Sequence, residues 1–102
     1  MSLKKSYTKD RATCKVTFEL LDAAAPGATS VKLVGDFNNW SESATPMKKD
    51  KDGTWSAVLS LQPGREYYFR YLIDDTKWEN DWNADKYVRS PYSDADNSVV
   101  IV

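Results

Sequence analysis

The sequence of 102 residues contains no histidine and a single cysteine, Cys14. The first absence removes the commonest general base and the commonest metal ligand. The second excludes an internal disulfide and zinc sites built on thiolates. Long apolar runs are missing too: nothing approaches the ~20 residues of a membrane-spanning helix. The N-terminal MSLKKSYTKDR has charges but no apolar stretch behind them, so it does not read as a secretory signal. An excess of positive or negative charge is missing as well. With 14 basic and 15 acidic residues the net charge is −1, which gives no electrostatic footprint for nucleic acid or an anionic membrane. A cytoplasmic location is the simplest reading, and no cofactor is expected. What the chain does have is aromatic residues: four Trp, six Tyr and three Phe, 13% of the sequence. The remaining composition, 41% hydrophobic and 28% charged, is that of an ordinary globular domain, and the length suits one domain. Not all of those rings need to lie in its core.

Residues 1–11 are polar and without periodicity, and are expected to form a flexible lead-in to a domain spanning 12–102. From Ala12 the pattern alternates strictly. Cys14, Val16, Phe18 and Leu20 share one face, and Thr13, Lys15, Thr17 and Glu19 the other, which predicts a half-buried strand. Val31 and Leu33 mark a second strand that ends at Gly35. The pair Asp52-Gly53 signals a hairpin turn, with residues 47–49 pairing to the strand TWSAVLSL beyond it. There Trp55, Ala57, Leu59 and Leu61 share a face, so Trp55 is assigned to the core. Pro63-Gly64 turns the chain into EYYFRYLID. Its Tyr67, Phe69, Tyr71 and Ile73 face one way, and Tyr68, Arg70 and Leu72 the other. A β-branched strand over 97–102 closes the chain. No window shows helical periodicity, so short strands separated by turns predict an all-β sandwich. The long polar and aromatic segment after Asp74 is expected to be functional or to hide a short extra strand.

The segments VKLVGDFNNW, DGTWSAVLSLQPGREYYFRYLIDD, KWENDWNADKY and DNSVVIV together resemble a known family. They are similar to the early-set modules that bind glycogen and starch at the N-terminus of isoamylases and branching enzymes, and in the β subunit of AMP-activated protein kinase. These form carbohydrate-binding module family forty-eight. The resemblance runs over most of residues 13–102, and its most specific part is Gly-x-Phe-Asn-x-Trp at 35–40. It implies an immunoglobulin-like (early-set) antiparallel β-sandwich that binds α-1,4-linked glucan without catalysis. It also implies site residues. Trp40 and Trp78 match two sugar-stacking platforms. Arg70 matches a basic residue, lysine in the kinase module, that hydrogen-bonds sugar hydroxyls. Asn97 matches an asparagine that also contacts sugar. One departure stands out: the kinase module has a leucine before that asparagine, whereas here the sequence is YSDADN, with Ser93 or Asp94 near that place. Tyr92 is a candidate substitute for the missing contact.

Each assignment competes with a plainer one. The alternation stops at Gly35, so it does not decide whether Trp40 caps the sandwich as a buried residue; Phe37 is the better candidate to turn inward. Trp78 sits among charges in DTKWEN, which suits an exposed ring. Arg70 opposes the inward face of its strand, so it points outward, where it serves either as a solvated charge or as a fork able to reach two adjacent hydroxyls. Trp82 either extends the platform or covers the long loop. Cys14 alternates inward as an inert core thiol. The acids Asp74, Asp75, Glu79, Asp81 and Asp85 cluster in sequence, but glycoside hydrolysis needs two carboxylates across a cleft, and calcium loops need a spacing of ligands and glycine that this segment lacks. The expected partner is therefore an α-glucan, with neither nucleic acid nor membrane. The alternative is a module that docks on a glucan-metabolising enzyme and retains vestigial sugar binding, and a piece of a larger branching or debranching enzyme is a third reading.

Overall fold

The computed structural model describes residues 3–91 and 95–102. They form two antiparallel sheets packed face to face, with no helix beyond single 3₁₀ turns among the described residues. One sheet has the order β1-β2-β5-β4, with β1 at Lys4–Tyr7, β2 at Cys14–Leu20, β4 at Lys48–Lys49 and β5 at Trp55–Leu61. The other has the order β3-β6-β9-β8, with β3 at Val31–Gly35, β6 at Glu66–Ile73, β8 at Lys86–Arg89 and β9 at Asp96–Ile101. A short strand β7, Lys77–Glu79, also pairs with β6. This is the expected immunoglobulin-like sandwich.

The core follows from the alternation. Val16, Phe18 and Leu20 of β2 and Leu33, Phe69 and Tyr71 of the opposite sheet are fully buried. Phe18 meets Phe69 edge-on with ring centroids 5.0 Å apart, and Phe37 completes a triangle, 5.4 Å from Phe18 and 6.4 Å from Phe69. Such tilted and edge-on contacts are the favoured aromatic geometries. Trp55 is buried in the same core, as is the free thiol of Cys14.

Two regions depart from the sequence reading. Lys4–Tyr7 is not a flexible lead-in: it pairs in register with β2, from Lys4 opposite Thr17 to Tyr7 opposite Cys14. Its own sequence carries no apolar alternation, so its place is fixed from outside. Leu3 and Tyr7 pack on the core, and Lys5 reaches Asp85 at 2.7 Å. A short edge strand bearing a lysine also resists pairing with another chain. The long segment after Asp74 holds two extra strands, β7 and β8, rather than one.

β6 is the centre of the second sheet. Along one side it pairs with β3; along the other it pairs first with β9, up to Phe69 opposite Ser98, and then with β7, from Tyr71 opposite Glu79. Arg70 lies at the changeover between β9 and β7. That junction positions the site.

Candidate functional site

The strand alternation sends Tyr68, Arg70 and Leu72 away from the core. Leu72 is fully buried all the same, and so are Val34 of β3 and Val99 of β9, none of which belongs to the core cluster. By register Val34 lies opposite Arg70, and Val99 opposite Tyr68. The second sheet is thus apolar on both faces, and its outer face is the floor of a groove. That groove, of about 660 Å³, is lined by Asp36, Trp40, Tyr68, Arg70, Trp78, Ser90, Pro91 and Asn97.

Trp40 reaches the groove through an irregular turn that accounts for each residue of GDFNNW. Gly35 has no room for a side chain: a Cβ would lie 2.4 Å from the Tyr68 carbonyl and 2.8 Å from Phe69 Cβ. Asp36–Asn38 forms a single 3₁₀ turn. Phe37 leaves it inward, onto Phe18 and Phe69. Asn38 ties the turn together, accepting from the Gly35 N–H at 3.1 Å and donating to the Leu33 carbonyl at 2.9 Å. Asn39 and Trp40 both take left-handed φ, +57° each. Asparagine tolerates this conformation, while a bulky tryptophan there is uncommon. The Trp40 backbone N–H closes the turn onto the Gly35 carbonyl at 2.8 Å, and the ring is left 37% exposed.

Trp78 arrives by a different route. Asp74 and Asp75 have left-handed φ of +53° and +61°, the primed-turn geometry that suits strand twist. The Asp74 carboxylate accepts from the Thr29 and Ser30 backbone N–H groups at 2.8 and 3.0 Å, and Asp75 pairs with Lys32. The Ser30 and Thr29 N–H groups hold the Asp74 carboxyl below its usual range. With the hairpin pinned to the start of β3, Trp78 lies opposite Leu72 on the outer face and is 41% exposed.

Arg70 and Asn97 act as a unit. The Arg70 Nε–H donates to Asn97 Oδ1 at 2.8 Å, and one terminal nitrogen donates to the Ala95 carbonyl at 3.4 Å. Asn97 is buried, so its oxygen serves to orient the guanidinium. The structure therefore brings Trp40, Arg70, Trp78 and Asn97 to one groove. Trp82, 50% exposed, is not among the residues that line it. Tyr92 and the Ser93–Asp94 pair lie outside the described residues. Asp36, Tyr68, Ser90 and Pro91 were not expected at the site. Tyr68 carried a signal, since it shares the outward phase of Arg70; the others carried none.

The acids of the long segment have structural tasks. Asp81 is buried and accepts from the Tyr71 hydroxyl at 2.8 Å and the Asn83 N–H at 2.8 Å. Burial raises its carboxyl above the usual range, against the pull of these bonds. Burial, then the charge of Asp81, pushes the Tyr71 hydroxyl well above its ordinary value. Asp85 accepts from Lys5 and from the Ile101 N–H, each at 2.7 Å. No cluster of acids, cysteine or histidine able to hold a metal ion occurs among the described residues, and no helix there is long and apolar enough to cross a membrane.

Residues 9–93 match the family model of carbohydrate-binding module 48, described as the isoamylase N-terminal domain. Trp40, Arg70 and Trp78 fall inside the matched region and Asn97 beyond it. The chain is also similar to 1,4-alpha-glucan-branching enzymes. That of Emericella nidulans is 48% identical over 40 residues, 39% of this chain and 6% of the enzyme. That of Aquifex aeolicus is 40% identical over 60 residues, 56% and 9% of the two chains. That of Deinococcus radiodurans is 45% identical over 47 residues, 45% and 7%. The matched stretch thus spans less than a tenth of each relative's length.

Proposed function

The chain belongs to the carbohydrate-binding module 48 family, the isoamylase N-terminal domain, and from that premise we propose that it binds α-1,4-linked glucan, as in glycogen or starch, without catalysing any reaction. The observation that carries the reading is the pair of half-exposed tryptophans, Trp40 and Trp78, lining one groove with Arg70. A pyranose ring has an apolar C–H face and a rim of hydroxyls. Indole faces cover the first, and the guanidinium and the Asn97 amide serve the second, a division of labour general to small-ligand sites. The proposed location is the cytoplasm, where the single buried thiol of Cys14 stays reduced.

The magnitudes point to weak, additive binding. Sugar can cover at most the exposed 37% of Trp40 and 41% of Trp78, out of ~150–250 Å² each, so the pair contributes on the order of 3–5 kcal/mol at ~25 cal/mol/Å². Arg70 and Asn97 add about 1 kcal/mol each, and association costs at least about 4 kcal/mol. About 1–3 kcal/mol is left, a Kd weaker than millimolar for one short oligosaccharide. A polymer with many overlapping sites raises the apparent affinity. Losing either ring should therefore nearly abolish binding. Trp40→Ala and Trp78→Ala are expected to lose retention on glycogen or amylose while remaining folded; retention equal to wild type in both sinks the assignment.

The rival reading is a docking module for a glucan-metabolising enzyme. It draws on Trp82, half exposed outside the groove, and on the fact that the relatives are enzymes. Tryptophan and arginine are favoured at protein hot spots as well. It predicts no response to maltooligosaccharide at high millimolar concentration.

A further inference from the structure

Asp36 is the only carboxylate among the described residues that line the groove, and both of its oxygens are committed. Oδ1 accepts from the Trp40 indole Nε1–H at 2.9 Å, and Oδ2 accepts from the Tyr68 backbone N–H at 2.7 Å. The second bond has a structural logic. The β3–β6 ladder runs to Gly35 opposite Phe69 and stops where β3 peels away. The next donor on β6 is Tyr68, and the Asp36 side chain takes the place of the absent backbone acceptor. The first bond lacks that necessity. Trp40 is 37% exposed, so water could satisfy its indole N–H. By contrast, the buried indole N–H of Trp55 has no hydrogen-bond partner among the described residues. What the Asp36–Trp40 bond adds is orientation.

We propose that Asp36 is the positioning residue of the Trp40 platform, clamping the exposed indole to β6 so that its face is set over the groove before sugar arrives. The left-handed turn at Asn39 and Trp40 directs the side chain, but a tryptophan still has two side-chain torsions to settle. A hydrogen bond to a carboxylate fixes them, since charge-assisted bonds are the stronger class. Because the same carboxylate also holds β6, the ring is referenced to the strand that carries Arg70. Fixing a contact surface in its bound orientation improves affinity by removing the ordering cost of binding.

The role of the clamped ring as a sugar platform rests on the function proposed above; the clamp itself does not, and the two are tested separately. In wild-type protein without sugar, the Trp40 indole N–H should exchange with solvent at least about tenfold more slowly than free indole, the protection given by one charge-assisted bond. A rate within about twofold of free indole overturns the clamp, and this measurement needs no variant to fold. Asp36→Ala should remove that protection and shift the Trp40 indole resonance while leaving that of Trp78 in place. Asp36→Asn keeps one acceptor and should give an intermediate effect. An unchanged Trp40 resonance in folded Asp36→Ala protein also overturns the clamp. Maltoheptaose affinity should fall about tenfold in Asp36→Ala and less in Asp36→Asn. Wild-type affinity for maltoheptaose in folded Asp36→Ala overturns the positioning role, whereas a clamp seen in wild-type protein that does not bind maltoheptaose at all leaves the clamp standing and removes the glucan reading.

Discussion

The two outer faces of the sandwich are built on the same alternation and end differently. On the first sheet, Lys15, Thr17 and Glu19 of β2 and Ser56, Val58 and Ser60 of β5 turn outward, and Val58 is 59% exposed. That face is solvated, as an antiparallel sheet with one buried side should be. On the second sheet, the equivalent outward positions include Val34, Leu72 and Val99, all fully buried. A sheet that is apolar on both sides must be covered on both. Here the cover is a set of rings and a guanidinium that remain half exposed themselves. The difference separates a face that only closes the fold from one that offers an apolar bed with a polar rim.

The comparison can be broken at several points, beginning with the most severe. Gly35→Ala places a Cβ 2.4 Å from the Tyr68 carbonyl, and backbone cannot yield as a flexible side chain can. A loss of about 3 kcal/mol is expected, read as a lower urea midpoint, together with loss of glucan retention. Leu72→Ala should cost about 2–4 kcal/mol by removing the buried side chain opposite Trp78 on the outer face, and should weaken binding as well. Its counterpart on the other face, Val58→Ala, should change stability by less than about 0.5 kcal/mol and leave binding as it was. Equal effects of these two variants in parallel unfolding and retention assays would erase the distinction between the faces.

Smaller effects test the polar rim. Arg70→Ala should weaken oligosaccharide binding about fivefold, near 1 kcal/mol, as measured by isothermal titration. Arg70→Lys should recover part of this, since an ammonium keeps the charge but not the fork that engages Asn97. The smallest effect concerns Asp74. Its folded carboxyl is depressed by the Ser30 and Thr29 N–H groups, so the unfolded chain binds the proton more readily. Its contribution is present above the ordinary carboxylate range and is lost as pH falls through that range and below it. Asp74→Asn should therefore flatten the acid limb of stability against pH, seen as a smaller change in unfolding midpoint between neutral and acid solution.

Much of this architecture is legible in the sequence because alternation is strong where one face is apolar. β2, β3, β5, β6 and β9 follow from it, and Gly53, with φ of +89°, occupies the hairpin turn. β1 and β8 do not follow, because Lys-Lys-Ser-Tyr and Lys-Tyr-Val-Arg are edge strands whose places are set by partners distant in sequence. The site divides in the same way. Arg70 and Tyr68 can be read from their phase on β6. Trp40 and Trp78 stand out as large rings in polar surroundings, although the geometry that exposes them depends on left-handed turns. Asp36 is invisible to periodicity, since its role depends on Tyr68, which is brought alongside only by the β3–β6 pairing. Trp82 looked equally suited to platform or loop cover, and its position outside the groove follows from the anchoring of its neighbour Asp81 to Tyr71 and Ser98.

The most direct test of the central claim is an NMR titration of the full chain with maltoheptaose, following backbone amides and the indole N–H groups. Saturable shifts should gather on Trp40, Arg70, Trp78 and Asn97, with none at Lys15, Thr17, Val58 or Ser60 on the opposite face. Absence of any saturable shift at high millimolar sugar, or shifts centred on the first sheet, would contradict it.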